Sequence, residues 1–66
     1  MSTQENFEAA VELMRLRRRH EHVHHRREQL QERVGHFPNA VNTQALAAVI
    51  AEQQVVELRI AELEAT

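Results

Sequence analysis

Apolar residues recur along this chain at alternating steps of three and four. The first half runs Leu13, Leu16, His20, Val23, Arg27, Leu30, Val34, and the second runs Leu46, Val49, Gln53, Val56, Ile60, Leu63. Such spacing holds one stripe on one side of an α-helix, and two facing stripes make a coiled-coil seam. The rhythm breaks once, where the only glycine and the only proline, Gly35 and Pro38, stand three residues apart. The pattern therefore predicts an all-α chain, two helices joined by one sharp turn.

Local signals place the ends. Ser2 with Glu5 fits a capping box, in which hydroxyl and carboxylate satisfy free backbone donors at a helix start; Thr3 could serve equally as the cap. Gly35 suits the left-handed position just past a helix end. Pro38 cannot continue a helix, and it pushes Phe37 toward an extended conformation. Asn39, Asn42 or Thr43 can cap the second helix. The expected layout is a single domain, 1–66, with helix 1 over about 3–34, the turn over about 35–39 and helix 2 over about 40–64. So short a connection makes the helices antiparallel neighbours.

Folding the chain at that turn sets Leu13 opposite Ile60, Leu16 opposite Val56, Val23 opposite Ile50, and His20 opposite Gln53. The last pair would form a polar level in the seam. Such a level costs stability but can fix register and oligomer number. The plainer alternative is that His20 and Gln53 sit at a wet, frayed part of the seam.

The seam leaves apolar residues over. Phe7, Ala10, Val11 and Met14 form a second stripe on helix 1, and Ala48, Ala51, Val55 and Leu58 form one on helix 2. A lone hairpin would leave both in water, and exposed stripes of this kind usually mark an interface. Phe7, Val11, Met14, Val55 and Leu58 are thus the candidate partner-binding residues. The expected solution is a homodimer, or a higher even oligomer, closing as a four-helix bundle. The alternative is another protein in the place of the second copy.

Size points the same way. At 66 residues the chain lies below the ~70–80 at which one core supplies more than ~3–5 kcal/mol, so a staple is needed. There is no cysteine, which excludes disulfides and thiolate metal sites and leaves a second chain as the staple. No apolar run approaches the ~20 residues of a membrane span, and the acidic start from Met1 to Glu12 has no signal-peptide layout. These features predict a cytoplasmic protein with no membrane contact. All eight basic residues are arginine, none lysine, which fits a GC-rich bacterial or phage genome.

Charge is uneven. Glu5, Glu8 and Glu12 make the start acidic; seven arginines against Glu21, Glu28 and Glu32 make residues 15–33 basic; Arg59 against Glu52, Glu57, Glu62 and Glu64 makes the remainder acidic. The belt of Arg15, Arg17, Arg18, Arg19, Arg26, Arg27 and Arg33 could meet phosphates through bidentate contacts. Arg15, Arg18, Arg19, Arg26 and Arg27 are the nucleic-acid candidates. Against this stand a net charge of −2, the absence of Trp and Tyr, and arginines that point around the helix with no wholly basic face. A soluble face pairing with glutamates of a neighbouring helix is the competing reading.

The run His20-Glu21-His22-Val23-His24-His25 is the other chemical oddity. His20 and His24 are one turn apart and His22 and His25 three residues apart, spacings at which imidazoles can share Zn, Ni or Cu. His20, His24 and His25 are the weak metal candidates. With no HExxH motif and no matching histidine on helix 2, the favoured reading is a solvated polar face and no metal. Nothing suggests a cofactor or an enzyme: there is no glycine-rich phosphate loop and no nucleophile–base arrangement, and a two-helix hairpin lacks the concave volume for a substrate.

In its uninterrupted first helix, its glycine near the middle and its alanine-leucine second helix, the chain resembles in layout the small helical-hairpin co-chaperones of type III secretion needle subunits. Plasmid-borne RNA-binding hairpin dimers share the layout as well. No diagnostic residue carries either resemblance. Two functions are expected in turn: a protein-binding module of adaptor, chaperone or inhibitor type, and, as the alternative, a nucleic-acid-binding regulator using the arginine belt.

Overall fold

The computed structural model describes residues 3–65. It contains two helices, α1 (Thr3–His36) and α2 (Ala40–Glu64), packed antiparallel along their length. The proposed Ser2 cap lies outside the described residues, and Thr3 is already helical. The shape is a rod of 51 × 14 × 14 Å. Its radius of gyration is 15.4 Å, where a compact chain of this length would have about 11 Å.

The turn is tighter than the sequence suggested. Gly35 and His36 belong to α1, no glycine has a positive φ, and the amide of Phe37 still donates to the Arg33 carbonyl at 2.7 Å. Gly35 is therefore an interior residue of the last turn and not its left-handed cap. Pro38 ends the helix instead: it has no amide to donate, and it disfavours helical geometry at Phe37. Asn39 then takes an extended conformation (φ −131°, ψ 168°), and its Oδ1 accepts from the Asn42 amide at 2.8 Å. The Asn42 side chain answers, donating from Nδ2 to the Phe37 carbonyl at 2.9 Å. Of the three candidate caps, Asn39 is the one used, and Asn42 clasps the turn from within α2.

The seam follows the predicted rhythm. Val23, Leu30, Val49, Gln53 and Val56 are buried, and Leu13, Leu16, His20, Arg27, Val34, Leu46, Ile60 and Leu63 are half-buried. The apolar cluster joins Val23, Leu30 and Val49, with Ala45 and Leu46 packed against it. Val49, rather than the expected Ile50, is the residue gathered with Val23, and Ile50 is only half-buried.

The polar level is also arranged differently. Buried Gln53 accepts at Oε1 from Arg27 Nη1 at 2.9 Å, and His20 Nε2 lies 3.0 Å from Oε1 of Glu57. His20 and Gln53 each have another partner. The physical reason is reach: the long stem of Arg27 can cross the seam from a neighbouring level and bring a charged donor to the buried amide, which a short imidazole at the seam margin does not do. Among the described residues, no buried side-chain nitrogen or oxygen lacks a partner. Nor, among the described residues, is any helix long and apolar enough to cross a membrane.

Candidate functional site

The outward side of α2 is built from its own second heptad. Val41, Gln44, Ala48, Ala51, Val55 and Leu58 are spaced by steps of three and four and are all exposed. From Val34 to Ala51 the chain has no Asp, Glu, Lys or Arg, so the first half of α2 has apolar side chains around much of its circumference. Val41, Val55 and Leu58 stand 75%, 66% and 65% exposed. Water-facing helices ordinarily place charge on that side, and a helix that is apolar all round is ordinarily covered. Periodicity singled out Val55 and Leu58 but not Val41, although its seven-residue spacing from Ala48 was a usable signal.

The second exposed surface begins α1. Phe7 (68% exposed) and Met14 (50%) point outward, as the sequence predicted, while Val11 is half-buried. Phe7 and Val11 line a shallow hollow with Glu8, Glu12 and Arg15. On α2 a comparable hollow is lined by Gln54, Glu57, Leu58 and Ala61. The accessible surface totals 5332 Å², whereas a compact monomer of this mass would expose about 4,300 Å². The surplus of about 1,000 Å² reflects the elongated rod, which exposes more area than a compact shape of the same mass.

The seam's flanks are polar and paired. Arg17 bonds Glu64 at 2.9 Å, Arg19 bonds Glu52 at 2.7 Å, and Arg59 grips Glu12 with a fork, Nε–Oε1 at 2.8 Å and Nη2–Oε2 at 3.2 Å. Arg59 also reaches Glu62 at 3.0 Å. The hydrogen bonds from Arg59 hold the Glu12 carboxyl below its ordinary value, against a smaller opposing effect of desolvation; the same bonds raise Arg59. These pairs are exposed, and each contributes little to stability. The pairs from Arg17, Arg19 and Arg59 all bridge α1 and α2.

The histidines do not converge. His20 turns to Glu57 on α2, His24 Nε2 lies 2.7 Å from Glu28, and His25 Nε2 lies 4.0 Å from Glu21. The rings of His24 and His25 are 6.0 Å apart and tilted by 54°. Among the described residues no three side chains of metal-binding type gather into a site.

The arginines divide. Of the nucleic-acid candidates, Arg19 and Arg27 are engaged across the seam. Arg15, Arg18 and Arg26, together with Arg33, are exposed and meet no partner among the described residues. With all seven arginines counted alike, no wholly basic face stands out. Removing the paired ones leaves Arg15, Arg18, Arg26 and Arg33 on one face, interleaved with His22 and Gln29 and without a carboxylate.

Comparison with family models, curated proteins and solved structures finds no match.

Proposed function

We propose that this chain is a protein-binding module, of adaptor, chaperone or inhibitor type, that works by helix–helix contact and catalyses no reaction. Its first partner is a second copy of itself, and two hairpins close into a four-helix bundle. The observation that carries this is the outward heptad of α2, Val41 through Leu58, exposed along a segment whose first half is without charge. Covering a side chain such as Leu58 or Phe7 is worth about 1.5–3 kcal/mol each, so a few on each copy offset the cost of association. The alanines among them let helices approach closely.

Light scattering with refractive-index detection tests the reading. At micromolar concentration the mass should be twice 7.7 kDa, or a higher even multiple. Leu58→Glu should shift the mass toward the monomer while helical circular dichroism persists. Wild-type protein that is folded and monomeric at high micromolar concentration would sink the dimer.

A further inference from the structure

We infer that the outward face of α1 is a track for the phosphate backbone of a nucleic-acid duplex. The basis is which arginines the fold leaves unpaired, and it is independent of the dimer.

Arg15, Arg18, His22, Arg26, Gln29 and Arg33 are separated by steps of three, four, four, three and four residues. At about 100° per residue they fall within one narrow sector of the helix, and from Arg15 to Arg33 they run for ~27 Å. All six are exposed. His25 and His36 border the sector. From Arg15 to His36 it holds no apolar residue and no carboxylate; Glu21, Glu28 and Glu32 lie on the adjoining flank.

The sequence withholds acids from this ridge. Helical ion pairs form at three or four residues' separation. Arg26 has Val23, His22, Gln29 and Leu30 at those positions, and Arg33 has Leu30, Gln29, His36 and Phe37. Arg15 has Glu12 within reach, but Glu12 is held by Arg59. Arg18 has Glu21, which faces His25. Four guanidinium groups therefore remain in water on a protein whose net charge is −2.

The chemistry of the ridge selects the occupant. A partner helix would need apolar area at the centre of its contact, and the ridge offers none. A single strand would need aromatic rings on which to stack bases, and the ridge has no Phe, Tyr or Trp. A duplex backbone needs only a straight row of cations, and guanidinium forks suit phosphate oxygens. Gln29 is the one neutral amide in the row, so contact is with phosphates and is independent of sequence.

The test is fluorescence anisotropy of the full chain with labelled DNA and RNA duplexes of about 30 base pairs, titrated between roughly 30 and 200 mM salt. The expected result is binding whose log–log salt slope is roughly −3 to −4 per chain, at about −0.9 per phosphate contacted. Arg26→Gln with Arg33→Gln should weaken binding more than tenfold at low salt and reduce the slope by about 2; Arg15→Gln with Arg18→Gln should do the same. Arg19→Gln, whose wild-type side chain is tied to Glu52, should change neither. A preference for one duplex supports the track and identifies its source; similar affinity for both supports a track that meets phosphates of either duplex. No binding to either duplex at the lowest salt overturns it, as does binding that both double variants leave unchanged, or capture of polyglutamate in preference to duplex. Circular dichroism and mass on the same variants separate loss of the track from loss of the fold or of self-association.

Discussion

The helices α1 and α2 share one seam, yet they use the rest of their circumference in opposite ways. Opposite its seam, α1 is cationic from Arg15 to Arg33, and apolar there only near Phe7 and Met14. Opposite its own seam, α2 exposes Val41, Ala48, Ala51, Val55 and Leu58. The hairpin plus water satisfies most of α1. On α2 it leaves Val41, Val55 and Leu58 in water, on a side where a water-facing helix ordinarily carries charge. One shared seam can thus satisfy most of one helix and leave apolar area exposed on the other.

The sharpest way to probe the contrast is to remove a leucine from each side. Leu30→Ala, at 4% exposure in the seam, should cost about 2–5 kcal/mol, as much as the whole hairpin is expected to hold. Thermal melts should show that variant largely unfolded. Leu58→Ala, made at 65% exposure, should leave the melt of a dilute sample within about 0.5 kcal/mol of wild type. Equal losses in dilute, dissociated protein would mean that the outer side of α2 belongs to the intrachain core.

A smaller effect checks that α1 is one continuous helix through its last turn. A Cβ added at Gly35 meets nothing within 4 Å, and its φ is not positive. Gly35→Ala should therefore stabilise by about 0.5–1 kcal/mol, read as a rise in the denaturant midpoint. A fall would restore the left-handed cap that the sequence suggested.

The smallest effect concerns the ion pair that joins the two helices at their open end. Arg59 depresses the Glu12 carboxyl below its ordinary 4.5, and a depressed carboxyl stabilises the fold above that value and loses its contribution as pH falls through the lowered one. Wild type should melt slightly higher than Glu12→Gln at about pH 6–7, and the gap should shrink as pH falls below the ordinary 4.5 and close once the lowered value is passed. A gap that persists in acid would show that the pair is not its source.

Much of the fold was legible in the residues. Every member of both predicted seam series is buried or half-buried, and α2 begins and ends at Ala40 and Glu64 as expected. Periodicity gives the angle of a residue about its helix, so it found the seam and the outer stripes. It does not give reach. The partnership of Arg27 with Gln53, and of His20 with Glu57, depends on how far each side chain extends along the seam. The basic ridge was hidden for the same reason: Arg17, Arg19 and Arg27 blurred it until their cross-seam partners took them out of the count. At the turn, Gly35 carried a signal that Pro38 overrode, because a helix can include glycine at small cost but cannot pass through that proline.

The clasp at Phe37, Asn39 and Asn42 has a kinetic consequence. Among the described residues the five buried ones lie between Val23 and Val56, while the seam residues nearest the far end, Leu13, Leu16, Ile60 and Leu63, are only half-buried. A three-residue connection brings the two halves of this zipper together with little loss of loop entropy. Pairing then grows from the clasp outward, and opening begins at the other pole. Amide exchange should show protection falling steadily from Leu30 and Val49 toward Leu13 and Leu63. The pole that opens first is the one that carries exposed Phe7, so the apolar end of α1 is also where the chain yields most easily.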